Sequence, residues 1–179
     1  MRSYSGNIFF TGMPGSGKTS AGKKLAARIN WSFIDLDSFI EEKSKKTIQK
    51  IFKEDGEKIF RNTESKHLNE IALTKFNHVI SLGGGSICDE SNLAILKKSG
   101  TVIYLRMTPE ALQSRILQNP DSRPLFQGLK NHEILDKLRY LLNQREKYYI
   151  QSDLVLDALH FNLEELIQEL KSFLKISRL

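Results

Sequence analysis

Few folds accommodate the stretch Gly12-Met13-Pro14-Gly15-Ser16-Gly17-Lys18-Thr19. It follows the apolar run Ile8-Phe9-Phe10 and leads into a helical pattern through Leu25, Ala26 and Ile29. Strand, glycine loop and helix in that order are the context of a phosphate-binding P-loop. Glycines let backbone N–H groups turn inward and approach a phosphate without Cβ clashes. The loop ends at a helix N-terminus, where unpaired donors and the positive end of the dipole favour an anion. Lys18 can then reach the β- and γ-phosphates, and the Thr19 hydroxyl can meet Mg²⁺. A plain glycine-rich turn explains two glycines, but not Gly-Lys-Thr at this offset with both flanks correct. The motif predicts that Gly15, Ser16, Gly17, Lys18, Thr19 and Ser20 bind a nucleoside triphosphate.

The rest of the chain alternates strands with helices, which implies an α/β fold with a parallel sheet covered on both faces. Strands are predicted at Asn7 to Thr11, Ser32 to Asp35, His78 to Leu82, Thr101 to Leu105 and Leu154 to Leu156. A helical tract from Asp37 to Leu73 is broken near Lys45 and at Asp55-Gly56, and forms an excursion between the second and third strands. Thr108-Pro109 opens a helix with an N-cap and a first-turn proline, and Asn162 with Glu165 caps the last one. Asn119 to Asn131, with Pro120, Pro124 and Gly128, interrupts the helical period and reads as a mobile lid rather than core. At 179 residues the chain is expected to be a single domain over 1–179.

Ligands of such sheets gather beyond the carboxyl ends of the strands. After the second strand come Asp35 and Asp37. The third strand ends in glycine where many P-loop proteins carry an acid, so Asp35 is expected to hold Mg²⁺ through water beside Thr19. Asp37 is left for a second substrate, although it could also cap the following helix. After the third strand, Gly83-Gly84-Gly85 opens a second concavity with backbone donors and no side chains in the way. Arg61, Arg115, Arg123 and Arg145 can each grip a carboxylate or phosphate bidentately. Arg61 lies inside the helical excursion, where a small kinase would hold its acceptor.

Charge and composition narrow the alternatives. The net charge is +6, but the lysines are scattered and only Lys43-Ser44-Lys45-Lys46 cluster. With no basic stripe interleaved with aromatics, nucleic acid is not an expected partner. No apolar run is long enough to span a bilayer and no signal peptide is read, which suggests a cytoplasmic protein away from the membrane. The single Cys88 excludes an internal disulfide, and His67, His78, His132 and His160 lack metal-ligand spacing.

At this point the residues resemble the shikimate kinase family. Arg61-Asn62-Thr63-Glu64 with Leu68, ten residues, then Val79-Ile80-Ser81-Leu82-Gly83-Gly84-Gly85-Ser86-Ile87 is similar to its acceptor-site signature. Asp35-Leu36-Asp37, Arg123-Pro124-Leu125 and Arg145 stand where that family has Asp-x-Asp, a lid Arg-Pro-Leu and a substrate-binding arginine. The resemblance runs from about Asn7 to the last helix. It implies a P-loop kinase fold of five parallel strands flanked by helices, with a small lid. The implied activity is ATP-dependent phosphorylation of the 3-hydroxyl of shikimate, assisted by Mg²⁺, on the path to the aromatic amino acids. Implied catalytic residues are Lys18, Asp37 and Arg123, with Arg123 also on ATP. The acceptor falls to Asp37, Arg61, Gly83, Gly84, Gly85 and Arg145, and the metal to Thr19 and Asp35. The partners are shikimate and ATP, with the chain expected to act as a monomer. The spacing from Arg115 to Arg123, and Leu159-His160-Phe161 ahead of the last helix, depart from the family pattern and leave the adenine contacts open. A gluconate-kinase-like enzyme, or an ATP-binding regulatory module without phosphoryl transfer, are the competing readings.

Overall fold

The computed structural model describes residues 6–118 and 124–174. Five strands form one parallel sheet: β1 (Asn7–Thr11), β2 (Ser32–Asp35), β3 (His78–Ser81), β4 (Gly100–Arg106) and β5 (Leu154–Asp157), in the order β2-β3-β1-β4-β5. All five residues of β1 are buried, because a central parallel strand is covered on both faces and so reads as a continuous apolar run. Fully burying each of Ile8, Phe9 and Phe10 contributes about 1.5–3 kcal/mol.

The helices follow the predicted order: α1 (Lys18–Ile29), α2 (Leu36–Ser44), α3 (Ile48–Glu54), α4 (Gly56–Thr74), α5 (Glu90–Ser99), α6 (Pro109–Gln118), α7 (Asn131–Tyr149) and α8 (Leu163–Leu174). The helical excursion between β2 and β3 is α2, α3 and α4. Its first break falls at Lys45, which sits in the left-handed region with φ 53°. Its second falls at Asp55 and Gly56, which ends α3 and starts α4. Thr108 Oγ1 accepts from Ala111 N–H at 3.3 Å, and Asn162 Oδ1 accepts from the Glu164 and Glu165 N–H groups.

Two expectations change. Asp35, not Asp37, caps α2: its Oδ1 accepts from Ser38 N–H at 3.3 Å, while Asp37 stands in the first turn. The reason is that extended geometry stops at Asp35 and the helix begins at Leu36, so the two carboxylates do not continue along one strand face. The interrupted segment also contributes to the core. A short 3₁₀ turn, Pro124–Phe126, places Phe126 at 3% exposure among buried apolar residues. Lys137 Nζ donates to Leu125 O at 2.6 Å, and Leu129 N–H to Phe126 O at 3.3 Å. An aromatic ring outweighs the prolines and glycine that mark the segment as a loop, because burying it returns more than a loop residue at the surface.

Candidate active site

The strand order decides where the loops meet. β1 and β3 are neighbours, with Phe10 opposite Ser81, so the P-loop after β1 lies beside the triple glycine after β3. The contact is close: a Cβ at Gly84 would lie 3.0 Å from Pro14 Cδ.

On the P-loop side, Gly17 has φ 97° and leaves α1 without a side-chain cap. The first N–H groups of α1 are therefore unmet by any capping side chain, as an anion site at a helix N-terminus requires. Gly15, Gly17, Lys18, Thr19, Ser20 and Lys23 line a cavity of about 400 Å³. Lys18 is buried, and its Nζ donates to Gly12 O and Met13 O, both at 3.0 Å. Ser16 is also buried, and its hydroxyl makes no hydrogen bond with the described residues. Arg115 Nη1 donates to Ser16 O at 3.1 Å, and its Nη2 to Ala158 O at 3.4 Å, tying the loop to the segment after β5. This residue, left open by the sequence, thus sits against the P-loop.

Thr19 Oγ1 donates to Asp35 Oδ2 at 2.8 Å and lies 3.3 Å from Ser81 Oγ. Three oxygen donors from three elements converge here. Ser81 escaped the sequence reading, which looked for an acid at the end of the third strand. The usable signal was its place as last residue of β3, where register sets it opposite both Phe10 and Asp35.

Across from the P-loop, Asp37, Arg61, Glu64 and Arg145 gather around Gly83-Gly84-Gly85. None of these glycines is in the left-handed region; what distinguishes them is the close approach of side chains. A Cβ would lie 2.6 Å from Glu64 Oε1 at Gly83, 3.3 Å from Arg145 Nη1 at Gly84, and 2.6 Å from Arg61 Nη1 at Gly85. Arg61 Nη1 donates to Glu64 Oε2 at 2.7 Å, and Ser86 Oγ donates to Glu64 Oε1 at 2.5 Å. Glu64, 1% exposed, therefore ties the arginine to the loop after β3. Arg145 reaches Gly84 O from α7 at 3.2 Å. Asp37 is half-buried, with its carboxylate facing Gly83. Burial first, then the charges of Asp35 and Glu64, push its pKa up to about 6 against the opposing pull of Lys18. Charges from the P-loop, β2 and α4 thus act on one carboxylate. The Cys88 thiol, close to Arg145 and Arg61, is pushed up by burial. Arg123 and the residues before it to Asn119 lie outside the described residues.

A P-loop facing a second glycine loop flanked by Arg61 and Arg145, across the carboxyl ends of a parallel sheet, defines a small-molecule kinase. The family model described as shikimate kinase matches residues 14–175, and the chain belongs to that family. The shikimate kinase of Bacteroides thetaiotaomicron is 35% identical over 173 residues, 94% of this chain and 98% of that protein. A crystal structure of shikimate kinase from that organism superimposes with a TM-score of 0.87, covering 97% of this chain and 100% of the other. Shikimate kinase from Acinetobacter baumannii, solved in complex with shikimate, superimposes with a TM-score of 0.83 at 34% identity, over 95% of this chain and 93% of its own. The P-loop kinase fold expected from the sequence is therefore present. Among the described residues, no helix is long and apolar enough to cross a membrane.

Proposed function

We propose that this chain transfers the γ-phosphoryl group of ATP to the 3-hydroxyl of shikimate. The observation that carries the proposal is the convergence of Lys18, Asp37, Arg61 and Arg145 on the two adjoining glycine loops. In the reaction, the acceptor oxygen bonds to the γ-phosphorus in line as the bond to the β,γ-bridging oxygen breaks, and ADP leaves. The proton of the attacking hydroxyl passes to Asp37. Little covalent chemistry is asked of the protein, so its contribution is positioning and charge.

Lys18 would exchange the Gly12 and Met13 carbonyls for oxygens of the β- and γ-phosphates, joined there by the backbone of Gly15 to Ser20. Arg61 and Arg145 would clamp the acceptor's carboxylate, with N–H groups of the triple glycine assisting. Glu64 takes a donor of Arg61 Nη1 and Glu57 one of Nη2, at 2.7 and 3.4 Å, but a guanidinium has five donors and keeps three for substrate. Arg123 is assigned to the transferring phosphoryl group on the family resemblance. The hard oxygens of Thr19, Asp35 and Ser81 suit Mg²⁺, with Asp35 acting through water. When bound with the nucleotide, that ion supplies neutralising charge at the phosphate oxygens. We read the protein as a cytoplasmic monomer of one domain.

A gluconate-kinase-like activity lacks support, since a family match over residues 14–175 does not favour it. An ADP-release assay with shikimate, quinate and gluconate in parallel tests the proposal. Turnover on shikimate alone is expected, and Lys18→Met should reduce it by about three orders of magnitude or more. The melting temperature of that variant should fall by about 5 °C or less, since its partners are loop carbonyls. Turnover on gluconate and not shikimate would overturn the reading.

A further inference from the structure

Three consecutive glycines form the most freely rotating backbone a chain can have. The loop's own turn bonds, Ser86 N–H to Gly83 O at 3.2 Å and Cys88 N–H to Gly85 O at 2.9 Å, bracket the Gly84–Gly85 peptide without bonding it, so its orientation depends on groups outside the loop. Two side chains of α7 bond the middle carbonyl. Arg145 Nη1 donates to Gly84 O at 3.2 Å, and the Tyr149 hydroxyl donates to the same oxygen. Arg145 belongs to the proposed acceptor clamp and has a second call on its donors. Tyr149 is fully buried, with its hydroxyl turned to the glycine loop rather than to open space.

We infer that Tyr149 is a positioning residue that sets the Gly84–Gly85 peptide for acceptor binding. This rests on the proposed shikimate kinase activity. Pinning Gly84 O fixes the peptide plane, and in a trans peptide the Gly85 N–H then faces the opposite way. Among the described residues, neither the Gly84 nor the Gly85 N–H donates to another backbone group, which leaves both for a ligand. The other end of the loop is held independently, by Glu64 at Ser86 Oγ and by Asn92 Nδ2 at Ser86 O. The tyrosine itself is rigid. Its ring stacks on Tyr104 of β4 with centroids 4.9 Å apart, and its hydroxyl lies 3.8 Å from Met13 Sδ in the P-loop. One buried hydroxyl thereby references the acceptor loop to the central sheet.

Tyr149→Phe deletes that hydroxyl and keeps the stacked ring. The companion Tyr104→Phe deletes the other hydroxyl of the pair, which donates to Glu146 Oε2 at 2.7 Å and not to the loop. With wild-type turnover on shikimate measured in the same series, Tyr149→Phe should raise the shikimate KM by about threefold to tenfold, the range for one hydrogen bond. Its ATP KM and kcat should stay within about twofold, and Tyr104→Phe should change neither KM. A second reading needs no substrate: ¹⁵N relaxation of the free protein should show the order parameters of Gly84 and Gly85 falling toward about 0.6 in Tyr149→Phe only. Wild-type activity on shikimate with an unchanged KM and unchanged glycine order in Tyr149→Phe overturns the inference alone. Equal rises in both KM values, or the same effect from Tyr104→Phe, overturn it too, by making the loss structural. No wild-type activity on shikimate removes the functional reading, whatever the relaxation shows.

Discussion

Asp35 ends β2 and caps α2 at once, so replacing it with Asn removes charge without removing the cap. What Asp35→Asn loses is the carboxylate at the Thr19 hydroxyl, 2.8 Å away. In the proposed reaction, that variant should need a higher Mg²⁺ concentration for half-maximal rate while keeping its shikimate KM. Asp37 has a different position, turned toward Gly83 with like charges around it. Asp37→Asn removes the group proposed to take the hydroxyl proton, and kcat should fall by about 10²–10⁴-fold with the ATP KM little changed. Steady-state kinetics across a Mg²⁺ titration separates the two. If the phenotypes were exchanged, the division between metal side and acceptor side would be reversed. Neither assignment needed the fold to suggest it, since both acids follow a strand end. Their separation did need it, because a helix that starts at Leu36 turns the second carboxylate away from the strand direction.

At the scale of elements, the segment after α6 illustrates how composition can mislead. Prolines, a glycine and polar residues from Asn119 to Asn131 suggest a lid with no part in the core. The part from Pro124 to Lys130 does join the core, through Phe126, with Lys137 on Leu125 O and Gln49 of α3 donating to Gln127 Oε1 at 3.1 Å. One buried aromatic in a polar stretch is enough, since a single burial outweighs several weak loop propensities. Two consequences are measurable by hydrogen exchange. The Leu129 amide, bonded to Phe126 O, should be protected in the ligand-free protein. Phe126→Ala should abolish that protection and cost up to about 3–5 kcal/mol of stability if the site cannot collapse. Exchange of Leu129 at the rate of an open loop in the wild type would mean the ring is not an anchor.

At the scale of the whole molecule, the proposed ligands would bind groups contributed by the P-loop after β1, α1, β2, α2, α4, β3 and the loop after it, and α7. A ligand that binds only the folded state stabilises it, by about 2.7 kcal/mol at one hundred times its Kd. For a chain of this length each kcal/mol moves Tm by about 2–4 °C, so shikimate at that excess should raise it by about 5–11 °C. Gluconate should not, and a Tm unmoved by shikimate would count against the acceptor site. The sequence alone settled the P-loop, the alternation of strands and helices and the three-helix excursion, and it named Asp37, Arg61 and Arg145, which the fold gathers at the triple glycine. Each of these is written in a short window, as spacing, hydrophobic period or capping chemistry. Tertiary structure alone decided that β3 lies beside β1, which brings Ser81 to Thr19 and the triple glycine to Pro14. It alone brought Arg145 and Tyr149 onto Gly84, and Arg115 onto the P-loop. Strand order and helix placement arise from packing surfaces far apart in the chain. No local period records which surfaces will meet, so these contacts became visible only once the sheet was assembled.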